Sequence, residues 1–214
     1  MNHIVKRRAR LEDFVQIGAL LEANALEWKP MWTVKRTENQ IDLFSKGMLD
    51  AFVLVDKKLN KIVGYISYSI DETYFSKYIA KHKLARYLIP GNFICGIHQV
   101  IMVDPLYRKM GLGARLTKTM MNDMKRKDAD FLYYIRHEKN FSGKILDAIM
   151  GVKMIATFID PWRGESYMKT RFLVKGISRS ANKILKTFEK SNILYHPLSL
   201  KEQKKLENKL TNKN

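Results

Sequence analysis

Residues 100–116 read Val100-Ile-Met-Val-Asp-Pro-Leu-Tyr-Arg-Lys-Met-Gly-Leu-Gly-Ala-Arg-Leu116. The apolar run Phe93–Val103 stops at Asp104-Pro105 and gives way to a loop with small residues at Gly111, Gly113 and Ala114. Behind the loop, Leu112, Leu116, Met120 and Met124 recur every four residues, which predicts a helix over Leu112–Lys127. The first amides of a helix lack intrahelical partners, and the helix dipole adds partial positive charge there. A phosphate or diphosphate suits such a position. Glycines let the backbone approach the oxygens closely, and Arg108, Lys109 and Arg115 add charge. The same glycines would also serve a tight strand-to-helix turn that binds nothing. The loop is neither a P-loop, which ends in Gly-Lys-Ser/Thr, nor the dinucleotide fingerprint, whose glycine spacing differs.

Working outward, apolar residues from Leu11 to Leu26 and from Thr37 to Met48 fall at helical spacing, and Ile4-Val5 suits a short first strand. Ala51–Asp56 and Lys61–Ile70 read as two strands of a hairpin across Lys57–Asn60. Residues 71–92 mix aromatics with Lys77, Lys81, Lys83 and Arg86, and read as a basic helical insert closed by Pro90-Gly91. Asp130–Ile135 predicts a strand and Phe141–Met150 a helix. Val152–Ile159 and Ser166–Val174 predict a closing hairpin across Asp160–Gly164. Alternating strands and helices indicate an α/β architecture. Residues 176–214 form a basic extension: Ala181, Ile184, Leu185 and Phe188 make a helical stripe, and Ser199-Leu-Lys-Glu202 suits the start of a last helix. The stripe needs cover, from its own domain or from a second copy in a homodimer.

The chain has 214 residues, enough for one domain with an appendage. No stretch reaches the roughly 18 apolar residues of a membrane helix. Glu12, Asp13, Gln16 and Glu22 interrupt the N-terminal apolar run, as in an amphipathic helix and unlike a signal core. Cys95 is the single cysteine, which excludes an internal disulfide and a multi-cysteine zinc site and makes a cytoplasmic location the expectation. Lys and Arg outnumber Asp and Glu by 39 to 21, a net charge of +18. Such an excess suits polyanionic partners, nucleic acid among them. A Lys-, Asn- and Ile-rich composition accounts for it equally well.

Arg108-Lys-Met-Gly111-Leu-Gly113-Ala114, preceded by Val103-Asp-Pro-Leu-Tyr, resembles the acetyl-CoA pyrophosphate loop of the GNAT N-acetyltransferases, Gln/Arg-x-x-Gly-x-Gly/Ala. A second family pattern, Asn-x-x-Ala-x-x-x-Tyr-x-x-x-Gly-Phe, falls on Asn140, Gly143, Asp147, Gly151 and Val152, with the Asn and the later Gly retained. The resemblance covers about residues 3–175. It implies a GNAT domain over 1–175 with the insert at 71–92: a mixed central β-sheet flanked by helices, followed by the basic helical extension 176–214. It also implies acetyl-CoA as cofactor. The strands at 97–103 and 130–135 would splay around the pantetheine arm, with backbone near Met102 and Val103 holding it and polarising the thioester. Arg108, Lys109, Met110, Gly111, Leu112, Gly113 and Ala114 would wrap the pyrophosphate, and Asn140 would bond to the pantetheine.

Acyl transfer to an amine needs an uncharged nucleophile, a polarised carbonyl and a proton for the departing thiolate. Many relatives place a Glu or His nine or eleven residues before the motif Arg. Here those positions hold Gln99 and Ile97, and neither is a base. His98 lies between them, and strict strand alternation points it to the other face. His137 and Glu138 are rival bases. The Tyr that protonates the thiolate in many relatives is replaced by Asp147, while Tyr133 and Tyr134 lie on a predicted strand. The expected activity is acetyl transfer to an amine acceptor, on a nucleic-acid or other polyanionic macromolecule or on a conventional substrate. The missing base and acid also suit a degenerate GNAT-shaped protein that binds nucleic acid or a partner.

Overall fold

A computed structural model describes residues 3–24, 34–81, 84–89, 91–137, 141–159 and 169–190. In chain order the elements are β1 (Ile4–Arg8), α1 (Phe14–Asn24), α2 (Val34–Ser45), β2 (Asp50–Asp56), β3 (Lys61–Ser69), α3 (Glu72–Lys81), β4 (Cys95–Val103), α4 (Leu112–Arg126), β5 (Phe131–His137), α5 (Phe141–Met150), β6 (Lys153–Ile159), β7 (Lys169–Gly176) and α6 (Arg179–Lys190). They fall into two compact units, Met1–Phe75 with Gly96–Ala129, and Ser76–Cys95 with Asp130–Asn214.

In the first unit β1, β2, β3 and β4 pair antiparallel in that order. Side chains alternate across such a ladder, so each strand supplies both faces. On one face Phe14, Ile17, Leu20 and Leu21 of α1 pack with Val53, Tyr65, Val100 and Met102. Burial of each such side chain contributes roughly 1.5–3 kcal/mol. On the other face lies α4, with Leu116, Met120 and Met124 buried. There Gly64 permits close packing, since a Cβ on it would stand 3.2 Å from Leu116. Gln40 on α2 satisfies two buried hydroxyls at once, its Oε1 accepting from Tyr65 at 3.1 Å and Ser67 at 2.8 Å. At the end of α4, Asp123 accepts from Tyr68 and from Arg8 and Arg126, both at 2.7 Å.

In the second unit β7 lies between β5 and β6, and all pairings are antiparallel. Phe131, Tyr133 and Phe172 are fully buried, and Tyr133 stacks on Phe172 with centroids 5.4 Å apart. The apolar run does not open β4 at Phe93. Instead the Phe93 ring meets the edge of Phe131 at 4.9 Å, and the Ile94 carbonyl accepts from Asp130 N at 2.7 Å. Only the later part of the run, from Cys95, is strand. The expected helical insert contains α3, whose Tyr74 amide is capped by Asp71 at 2.7 Å.

In the extension, α6 starts after Ser178, whose Oγ accepts from Ala181 N at 3.1 Å. Ala181 and Leu185 are buried and Ile184 half-buried, while Arg179, Lys183 and Lys186 are exposed. The side chain of Phe188, the 160–168 connection and the helix expected from Ser199 lie outside the described residues. Among the described residues, no helix is long and apolar enough to cross a membrane, and no group of His, Cys, Asp or Glu is placed to hold a metal.

Candidate functional site

The glycine loop is held in place from below by three carboxylates or amides. Asp104 leaves β4 with its amide on the Val63 carbonyl at 2.9 Å. Its carboxylate accepts from Leu106 N at 2.9 Å and Lys61 Nζ at 2.7 Å, which fixes the 3-10 turn Pro105–Tyr107. Tyr107 donates to Asp56 at 2.7 Å, a bond that holds the Asp56 carboxyl below its ordinary range and lifts the Tyr107 phenol. Arg108 Nη2 donates to Asn24 Oδ1 at 2.6 Å. Arg115, credited with charge for the loop, reaches the Ile4 carbonyl at 3.1 Å.

Lys109 and Gly111 then adopt positive φ, 64° and 72°. Gly111 is the N-cap of α4 and gives it no side-chain cap. The amides that open the helix are thus left to an external acceptor. A Cβ built on Gly111 meets nothing within 4 Å, so the space above the loop is open. Lys109 is exposed and Leu112 is buried beneath. Chemically this is an uncapped helix start with open space and a nearby cation, an arrangement that accepts oxyanions.

Upstream, the β3–β4 ladder breaks. Ser67 pairs with Val100 and Tyr68 with His98, so Gln99 is the extra residue of a β-bulge. Strict alternation therefore fails where the base was sought. His98 lies opposite Tyr68, and directly opposed residues share a face. That face carries Asp123 of α4. Burial pushes the His98 imidazole down to about 4, opposed by a hydrogen bond involving Val100 backbone. His98 is therefore neutral at physiological pH. The Nε2 of Gln99 is buried and meets no hydrogen-bond partner among the described residues. Met102 is buried and Val103 half-buried beyond the bulge.

In the second unit, Asp147 of α5 is not a free acid. Tyr134 Oη and Arg136 Nε donate to its two oxygens, each at 2.5 Å. Burial and the adjacent carboxylate raise the Tyr134 phenol above its ordinary range. Glu138 and Asn140 lie outside the described residues, as does the side chain of His137.

Residues 17–142 match the model of the Acetyltransferase (GNAT) family. The chain belongs to the GNAT acetyltransferase family. No curated protein matches it in sequence. Among solved structures it is similar to the ribosomal-protein-S5-alanine acetyltransferase of Vibrio fischeri, at 17% identity and TM-score 0.63 over 84% of this chain and 96% of that one. It is also similar to an N-acetyltransferase of Staphylococcus aureus Mu50, at 15% identity and TM-score 0.62 over 82% and 99%. A third is the Salmonella typhimurium protein yncA with its cofactor acetyl-CoA, at 15% identity and TM-score 0.62 over 83% and 96%. The mixed sheet with flanking helices expected from the sequence is the GNAT fold.

Acetyl-CoA is the co-substrate of this GNAT chain. The residues present fit it: the uncapped start of α4 and the open space over Gly111 leave amides where a diphosphate can accept from them. Sequence reading missed the supports of the GNAT loop, Asn24, Asp56 and Lys61. Each belongs to another element, α1 for Asn24 and β2 and β3 for Asp56 and Lys61, and only the fold brings it near. It also missed Arg136, whose place two residues after Tyr134 on one strand face was a usable signal.

Proposed function

We propose that this GNAT chain transfers an acetyl group from acetyl-CoA to an amine acceptor. The observation that carries the reading is Gly111, left-handed at φ 72° under open space at the start of α4. Backbone amides from Lys109, Met110, Gly111, Leu112, Gly113 and Ala114 would hold the pyrophosphate, with Arg108 tethered beside them. Backbone at Met102 and Val103 would hold the pantetheine, and the family pattern assigns Asn140 to the same arm. When bound, acetyl-CoA supplies the activated acyl group. The chain's own residues would orient the amine and take part in proton movement, with His98, Gln99, Glu138 and Asp147 as the candidates. Of these, Asp147 is already an acceptor for Tyr134 and Arg136, which suits a positioning role better than proton donation.

Calorimetric titration of acetyl-CoA into the full chain tests the reading, with Gly111→Glu beside it. Saturable binding by wild type, lost in the variant while its melting curve stays cooperative, is the expected result. Absence of binding by wild type would leave the loop a structural turn. The net charge of +18 supports recruitment to a polyanionic target such as nucleic acid. Affinity that falls steeply with salt is the expected signature.

A further inference from the structure

At the bulge in β4, Gln99 stands outside the ladder, since its neighbours His98 and Val100 take Tyr68 and Ser67. Bulges of this kind re-aim a side chain, and they recur beside active sites. Among the described residues, the Nε2 of Gln99 is a buried donor with no acceptor. Buried donors are nearly always satisfied, so an orphan calls for an explanation, and an absent ligand is one. The hydroxyls of the facing strand do not supply an acceptor: Tyr65 and Ser67 donate to Gln40 and neither is a partner of Gln99 Nε2. What fits the orphan is a carbonyl oxygen brought by the acceptor.

The same strand restricts the amine. Residues 95–103 read Cys-Gly-Ile-His-Gln-Val-Ile-Met-Val, with no carboxylate. Its histidine is held neutral by burial, at about 4, far too weak a base to deprotonate an alkylammonium. β4 therefore favours an amine that arrives partly unprotonated. A peptide α-amine, with pKa about 7.7–8.0, is roughly a tenth neutral at pH 7, whereas a lysine side chain at about 10.4 is neutral in roughly one molecule in 2,500. The α-amine also carries a peptide carbonyl two bonds from its nitrogen. A lysine ammonium is separated from its own carbonyl by the whole side chain and cannot present both groups at one place.

Resting on the acetyltransferase reading, we propose that Gln99 is a specificity-determining residue that selects a peptide N-terminus, its Nε2 donating to the acceptor's first carbonyl. In the transfer, a bond forms between the α-nitrogen and the acyl carbon. The thioester C–S bond breaks, and the proton lost by the amine ends on the coenzyme A thiol.

The test uses the full chain with acetyl-CoA and two peptide libraries. One has free, randomised N-termini and no lysine, and the other has blocked N-termini and an internal lysine. Gln99→Leu and the near-isosteric Gln99→Met are run beside wild type, each checked for a cooperative melt. The expected result is acetylation of the free N-termini only, a KM for peptide about tenfold higher in both variants, and an unchanged Kd for acetyl-CoA by calorimetry. Preference for lysine would overturn the proposal, as would variants that weaken acetyl-CoA instead of peptide or change neither. Failure of wild type to bind acetyl-CoA is a separate result, and it would remove the parent reading itself.

Discussion

Asn24 closes α1 with its carboxamide buried, accepting from Arg108 Nη2 at 2.6 Å and donating to the Leu20 carbonyl at 2.7 Å. The first residue of the glycine loop is thereby tied to the first helix. A hydrogen bond from a guanidinium contributes about 1.5–3 kcal/mol, and it restricts Arg108 before any anion arrives. Preorganisation of this kind lowers the cost of binding. Asn24→Ala is therefore expected to weaken acetyl-CoA about three- to tenfold by calorimetry. An unchanged Kd would show that Arg108 is positioned by other contacts.

Gly111 separates conformational from steric cost. Its φ of 72° penalises any side chain, while the open space penalises none. Gly111→Ala should lose about 1–2 kcal/mol of stability in urea denaturation. Because the methyl group would stand where the phosphates are read, the loss in acetyl-CoA affinity should exceed the loss in stability. Equal losses would argue that the glycine serves the turn alone.

Acid should act in two stages. The folded His98 imidazole titrates near 4, below its unfolded value of about 6.5. Between those values the unfolded chain takes up a proton that the folded chain refuses, so stability falls as pH drops through that window. His98→Gln should flatten this limb. Burial alone would raise the Asp123 carboxyl, but hydrogen bonds from Tyr68 and Arg126 and the charges of Arg8 and Lys127 outweigh it and leave it lowered. The stability that Asp123 contributes is present above about 3.9 and lost below, a second limb that Asp123→Asn should remove.

The residues that announce the fold do so through local rules. The four-residue spacing of Leu112, Leu116, Met120 and Met124 gives α4, and all four are buried. Gly111 marks the loop because its left-handed backbone, at φ 72°, favours glycine, while Gly113 already lies within α4. The bulge at Gln99 was not legible, since an extra residue in an apolar strand leaves the composition unchanged and only the register reveals it. Phe93 and Ile94 misled for a related reason. Phe93 is apolar because it packs on Phe131, while the Ile94 side chain is exposed and only its carbonyl is engaged, outside β4. Asp147 was visible as a departure from the family pattern, but its partners sit on another element, and spacing in sequence does not encode that pairing.

That departure has its own consequence. Arg136 is 5% exposed and Asp147 12%, so the pair is largely removed from water. Taking away one member of a buried ion pair strands the other charge, at a cost of about 3–5 kcal/mol, whereas replacing both by apolar groups is often neutral. Restoring the family's tyrosine with Asp147→Tyr should therefore destabilise the protein, because Arg136 and Tyr134 both lose their hydrogen bonds to the carboxylate. Adding Arg136→Met should recover most of the loss, and the coupling between the two sites is read from a double-mutant cycle in urea. If Asp147→Tyr is instead as stable as wild type and the cycle shows no coupling, then Asp147 is not held at this position by Arg136.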